Sequence, residues 1–155
     1  MTITSCLTTD SPTFQLPLLA LDIGERRIGV AVCDHLGMTC SGIACLQRND
    51  RAWPDHLSKL IKEYGAKGII VGLPKNMDGT EGKQAADCRA AAQQVQDATG
   101  LPVHMWDERL TTWEAKERLR NQGLNEKRVS AKLDQTAAAI ILETFITAHS
   151  DINHG

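Results

Sequence analysis

Hydrophobic positions along the chain follow two rhythms, and the change between them divides the sequence. Near the start, three short apolar runs succeed one another with brief polar breaks: LPLLALDIG (16–24), RIGVAVCD (27–34) and MTCSGIACL (38–46). Runs of this length predict strands. Spacers as short as His35–Gly37 leave room only for hairpins, so the three should form an antiparallel meander.

Beyond residue 50 the rhythm lengthens. In WPDHLSKLIKEY (53–64), Leu57, Leu60, Ile61 and Tyr64 recur at helical intervals, with Pro54 in the first turn. GIIVGLP (68–74) is continuously apolar, as in a strand covered on both faces. A polar loop follows, KNMDGTEG, and across GLPKNMDG and the loop's end Gly72, Gly79 and Gly82 are read as turn formers. Residues 82–98 are rich in Ala and Gln and should be helical. LPVHMW (101–106) reads as another buried strand. The capping-box pattern Thr111-Thr112-Trp113-Glu114 then opens a helix. After the polar stretch NQGLNEKRVS, Ser130 is placed as the N-cap of a last helix. Beyond Ala137 that helix is apolar almost all round, which predicts burial. The order β-β-β-α-β-α-β-α-α predicts an α/β fold. It should hold one mixed five-stranded sheet, three meandering strands plus two parallel ones, with helices on both faces.

Length and composition fit one ordinary domain: 155 residues, 42% hydrophobic and 23% charged. Residues 1–15, rich in Ser and Thr, read as a flexible tail, 16–148 as the domain and 149–155 as a second short tail. No apolar run approaches the roughly 18 residues of a membrane span, and the start lacks the pattern of a signal peptide. The five cysteines, Cys6, Cys33, Cys40, Cys45 and Cys88, are odd in number and form no C-x-x-C pair. Reduced thiols, buried where they fall in strands, fit better than zinc or disulfides, and point to the cytoplasm. The net charge of −2 means that nucleic-acid binding would have to come from local basic patches.

The acids are more informative. Asp22 ends the first strand, Asp107 and Glu108 end the last, and Asp134 falls in the first turn of the final helix. If the first and last strands lie side by side and parallel, their tips share the rim where ligands gather in such sheets. Converging carboxylates repel one another unless a cation neutralises them. An all-oxygen donor set suits Mg²⁺ or Mn²⁺, and such ions activate water against phosphodiesters. Each acid alone also has a structural reading: a turn, a solvated strand end, a helix-dipole partner. Asp107 and Glu108 point to opposite sides by strand alternation, so only one should reach a metal directly.

Cations adjoin these acids. Arg26 and Arg27 follow Asp22, Arg109 follows Glu108, and Lys75 and Asn76 lie in the loop after the fourth strand. They are candidate contacts to substrate phosphates, and Asp78 is a further candidate in that loop. Lys116, Arg118 and Arg120 alternate with Glu114 and Glu117, as on a solvated face, and Lys127, Arg128 and Lys132 surround the entry of the last helix. Trp53, Trp106 and Trp113 fit packing roles better than base stacking. His35, His56, His104 and His149 show no ligand spacing.

Four blocks, LALDIGERRIGVAVCD, IIVGLPKNMDGTEG, WDERLTTWEA and LDQTAAAIIL, together resemble the signature blocks of the YqgF/RuvX family, in the expected order over residues 16–147. The polar N-terminal extension is longer than usual for that family. The family has an RNase H-like fold; it was first named for Holliday junction resolution and later linked to maturation of pre-16S ribosomal RNA. The resemblance implies Asp22, Glu108 and Asp134 as catalytic and metal-binding residues, with Asp107 as the alternative or supporting acid. It also implies a Mg²⁺- or Mn²⁺-dependent nuclease acting on structured RNA, in the setting of ribosomal precursor particles. Branched DNA is the second substrate class, and a non-catalytic RNA-binding assembly factor is the third reading. An ATPase or kinase of the actin type shares the core but needs about twice the domain. A monomer would suit RNA processing, and a homodimer a junction resolvase.

Overall fold

The computed structural model describes residues 15–34, 39–110 and 137–149. Residues 1–14 and 150–155, the turn at His35–Gly37, Trp113, the helix expected after Thr111, Ser130 and Asp134 lie outside the described residues.

Three strands open the fold: β1 (Leu18–Ile23), β2 (Arg27–Cys33) and β3 (Cys40–Gln47). They pair antiparallel in sequence order, as the short spacers require. Helix α1 (Trp53–Tyr64) follows, with proline in its first turn and Gly65 closing it in the left-handed conformation at φ 68°. Strand β4 (Gly68–Leu73) is buried at every position. Helix α2 (Lys83–Thr99) ends on Gly100 in the same left-handed geometry. Strand β5 (Val103–Asp107) runs into a single 3₁₀ turn, Glu108–Leu110. The last described segment, 137–149, is helical.

The five strands form one sheet in the order β3-β2-β1-β4-β5, with β4 parallel to both β1 and β5. The first and last strands are therefore not side by side, as the sequence reading supposed. The β4 strand separates them, because a crossover through α1 delivers it directly to the edge of β1. All three parallel strands still end on one rim.

Alternation divides the core in two. Leu19, Leu21 and Ile23 of β1, with Ile69, Val71 and Leu73 of β4, pack under α1 and α2 through Trp53, Leu57, Ala85 and Val95. Leu18 and Ala20, with Ile70 and Cys33, pack on the other face against Ile141, Leu142 and Phe145 of the 137–149 helix. That helix is largely buried, as its apolar sequence predicts: Ala138, Ile140, Ile141, Leu142 and Phe145 are buried, and only Thr147 and Ala148 near its end are exposed. Cys33 and Cys88 are buried thiols, whereas Cys40 and Cys45 are only half-buried because β3 is the edge strand; none of the four is in a disulfide.

Candidate metal and nucleic-acid site at the sheet rim

Strand alternation decides where Asp22 points. Leu18 and Ala20 face the 137–149 helix, so Asp22, two positions on, stands on the same side. The parallel ladders align Leu21 with Val71 and Val71 with Met105, and Gly72 with Trp106. One rank further along the sheet, Asp22, Gly72 and Trp106 fall in line.

Gly72 makes room for the second acid. A methyl group built on it would lie 2.6 Å from Glu108 Oε1, 3.1 Å from Glu108 Cγ and 2.7 Å from Ile141 Cδ1. The Glu108 side chain therefore lies over β4, in the space that any other residue at 72 would occupy. Gly72 was read from sequence as a loop turn former. It is instead a buried strand residue, and its role is close approach. Gly79, at φ 88°, is the true turn glycine of that loop. Gly82 is extended at the start of α2.

A buried thiol senses both acids. Cys88 of α2 donates to the carbonyl of Ile23 at 3.6 Å. Burial, first, and then the negative charges of Glu108, Asp87 and Asp22 push its thiol up to about 12. Asp22, on β1, and Glu108, in the turn after β5, thus act on the same atom. Among the described residues no group of three or more acid, His or Cys side chains is placed to hold a metal. The third acid of the sequence reading, Asp134, lies outside them.

Asp107 has a different task. Its carboxylate accepts the backbone N–H of Arg109 at 2.9 Å, and the Arg109 guanidinium donates to Oδ2 at 3.0 and 2.8 Å. The hydrogen bonds and charge of Arg109 hold its carboxyl below the usual range. It caps the turn and fixes Arg109, while Glu108 takes the direction over Gly72. Arg109 in turn donates to the carbonyl of Met77 at 3.4 Å, tying the 74–82 loop to the rim.

That loop is internally bonded. Asn76 Nδ2 donates to Thr80 Oγ1 at 2.9 Å, and Asp78 accepts from the Thr80 amide and hydroxyl at 3.0 and 2.6 Å. The polar groups of Asn76 and Asp78 shape the loop before they could meet a ligand. Lys75 is half-buried, and its charge is felt by Asp107 and Glu81. Arg26 is exposed and Arg27 half-buried on the β1–β2 hairpin.

Two residues that sequence reasoning missed organise the hairpin side. Arg48 donates to the carbonyl of Gly24 at 2.9 Å and to Asp87 of α2 at 2.6 and 3.1 Å. The partners are distant in sequence, so no local pattern signals them. Trp53 and Trp106 pack, as expected. Trp106 meets Phe145 edge-on at 5.2 Å and donates to Thr144 at 3.3 Å.

A family model described as "RuvX: Holliday junction resolvase" matches residues 17–148. A protein of Moorella thermoacetica named "Putative pre-16S rRNA nuclease" is 41% identical over 130 residues, covering 83% of this chain and 93% of its own length. Relatives of the same name from Syntrophus aciditrophicus and Bacillus thuringiensis are 38% and 36% identical over 136 and 132 residues, covering 86% and 83% of this chain and 89% and 96% of their own. Among solved structures, T. thermophilus RuvC in complex with a Holliday junction substrate aligns with a TM-score of 0.58 over 87% of this chain and 97% of that one. At 12% identity that likeness speaks for the fold, which is RNase H-like. With a family model matched over nearly all of the described chain and relatives this similar, the protein belongs to the RuvX family.

Proposed function

We propose that this protein is a divalent-metal-dependent nuclease that hydrolyses phosphodiester bonds in 5′-end maturation of pre-16S ribosomal RNA. The observation that carries the reading is Glu108 lying over Gly72, on the face to which alternation directs Asp22. The names of the relatives supply the substrate class.

The donors suit a hard cation. Asp22 and Glu108 offer oxygen only, and the nearby Cys88 thiol stays protonated and bonded to a carbonyl, so it does not compete as a soft ligand. Asp22 and Glu108 would hold Mg²⁺ or Mn²⁺, joined by Asp134. When bound, the ion neutralises the acids and lowers the barrier to attack by water on phosphorus.

The remaining residues act directly. Asp107 holds Arg109 at the rim, where its guanidinium can meet a phosphate edge. Lys75, Arg26 and Arg27 add positive charge around the acids, and Asn76 keeps the 74–82 loop in shape. On this reading the protein acts in the cytoplasm on ribosomal precursor particles, as a monomer or a homodimer.

The test is cleavage of two labelled substrates: an RNA carrying the 5′ flank of the small-subunit ribosomal RNA, and a four-way DNA junction. Each is run with Mg²⁺ or Mn²⁺, with chelator, and with Asp22→Asn and Glu108→Gln. Metal-dependent RNA cleavage should fall by roughly a hundredfold or more in either variant. Cleavage of the junction alone would transfer the reading to branched DNA. Full activity in Asp22→Asn would remove the site assignment.

A further inference from the structure

On the α2 side of the same rim lies an open groove of about 1110 Å³, bounded by the β1–β2 hairpin, the end of β3 and the first turns of α2. We propose that this groove binds the phosphodiester backbone of a single-stranded RNA segment flanking the cleavage site. The proposal rests on the nuclease reading for its substrate class.

Charge is the first argument. Arg26, Arg27, Arg48 and Lys83 line the groove, against two acids, Glu25 and Asp87. Arg48 and Asp87 neutralise each other in a 2.6 Å ion pair, which leaves Arg26, Arg27 and Lys83 against Glu25 as the net positive charge of the groove. Arg26 and Lys83 are exposed and make no ion pair among the described residues. In a chain of net charge −2, such a local surplus is what attracts a polyanion to one face.

The groove is also built in advance. Arg48 reaches both walls: its guanidinium binds Gly24 and Asp87, and its backbone N–H donates to the carbonyl of Arg26 at 2.8 Å. The hairpin carrying Arg26 is thereby fastened to the helix carrying Lys83, so little ordering opposes binding. The start of α2 favours an anion as well. Its first turn contains no acid, and Gly82 supplies no side-chain cap. Gln47, Asn49 and Gln84 add side-chain amides that bond sugar and phosphate without selecting a base.

Position connects the groove to the carboxylates. Glu25, on the groove wall, is three residues beyond Asp22. Asp87, on the opposite wall, is next to Cys88, where the charges of Asp22 and Glu108 are both felt. A strand lying in the groove leads to the rim where those acids stand.

The experiment measures binding of a fluorescein-labelled single-stranded RNA to the full chain by anisotropy, in chelator so that nothing is cut, over a series of salt concentrations. Lys83→Glu is compared with Lys59→Glu, an equal charge change on the exposed side of α1. Lys83→Glu should weaken binding roughly tenfold and lower the salt dependence by about 0.7 in log–log slope. Lys59→Glu should bind as the unaltered protein does. Equal affinity and slope for the two variants overturns the groove, whatever the cleavage assays give. If no substrate is cut but Lys83→Glu alone binds weakly, the groove stands as an RNA site and the nuclease reading fails.

Discussion

The two faces of the sheet treat the carboxyl ends of the same strands differently. On the α1/α2 face, β1 presents Leu19, Leu21 and Ile23, and β4 presents Ile69, Val71 and Leu73, buried without a break. On the opposite face these strands begin with Leu18, Ala20 and Ile70 and then change to Asp22 and Gly72. One side is continuous apolar packing. The other gives up its last rank to an acid and to the space a second acid needs. Because successive residues point to opposite faces, each strand can be anchored by one set of side chains while the other set is free to present acids.

Adjacent residues of β1 provide the sharpest way to break this comparison. Leu21→Asp buries an unpaired carboxylate in the continuous face and should abolish folding, seen as loss of the helical circular dichroism signal. Asp22→Asn, one position on, should fold with an unchanged or higher melting temperature in chelator. Mg²⁺ should raise the melting temperature of the unaltered protein and not that of the variant, since binding to the native state alone stabilises it.

Gly72→Ala should have the next largest effect. Its methyl group meets Glu108 Oε1 at 2.6 Å and Ile141 Cδ1 at 2.7 Å, so both side chains must move. Denaturant unfolding should show a loss of about 1–3 kcal/mol, and RNA cleavage should fall further than that loss explains. Normal cleavage by a destabilised Gly72→Ala would mean that Glu108 need not lie where it does.

Asp107→Asn should act more mildly. Arg109 holds the Asp107 carboxyl below its ordinary value of 3.8, so the native state is favoured above that value and the advantage disappears as pH falls through the lowered one. The variant should lose part of the acid side of the pH–stability curve near pH 4 and below. An unaltered curve would show that the pair with Arg109 is screened out by solvent.

The smallest effect concerns Cys88. Its unfolded thiol ionises near 9.0 and its native one near about 12, so it lowers stability as pH rises from 9 towards 12. Burial dominates the shift. Removing the charge of Asp22 or Glu108 should therefore only slightly raise the rate at which Cys88 reacts with a thiol reagent at high pH. No change in either variant would indicate that the two acids do not act on that atom together.

Much of this was legible along the chain. Helix α1 was placed at its observed limits because Leu57, Leu60 and Ile61 keep helical intervals, and β4 because an apolar run of that length needs cover on two faces. The acids at the strand tips were visible because a carboxylate interrupts an apolar run so abruptly. Gly72 was misread because a glycine in an approach site and one in a turn look alike until the neighbouring strand is known. Arg48 and Asp87 give no signal in the sequence because they are 39 residues apart and neither sits in a local pattern. Asp107 is open between ligand and cap in the sequence; in the structure its carboxylate accepts from the Arg109 guanidinium.

By itself, then, the sequence determined the element order as far as β5, the meander followed by parallel strands, and the acids Asp22, Asp107, Glu108 and Asp134 as the residues to watch. Periodicity and chain punctuation are local properties, and local spacing encodes them. Only the tertiary structure decided that β4 separates β1 from β5, that Gly72 yields its side-chain space to Glu108, and that Arg48 joins the hairpin to α2. Those facts depend on which distant segments become neighbours, and it is the packing of the whole sheet, rather than any single stretch, that selects them.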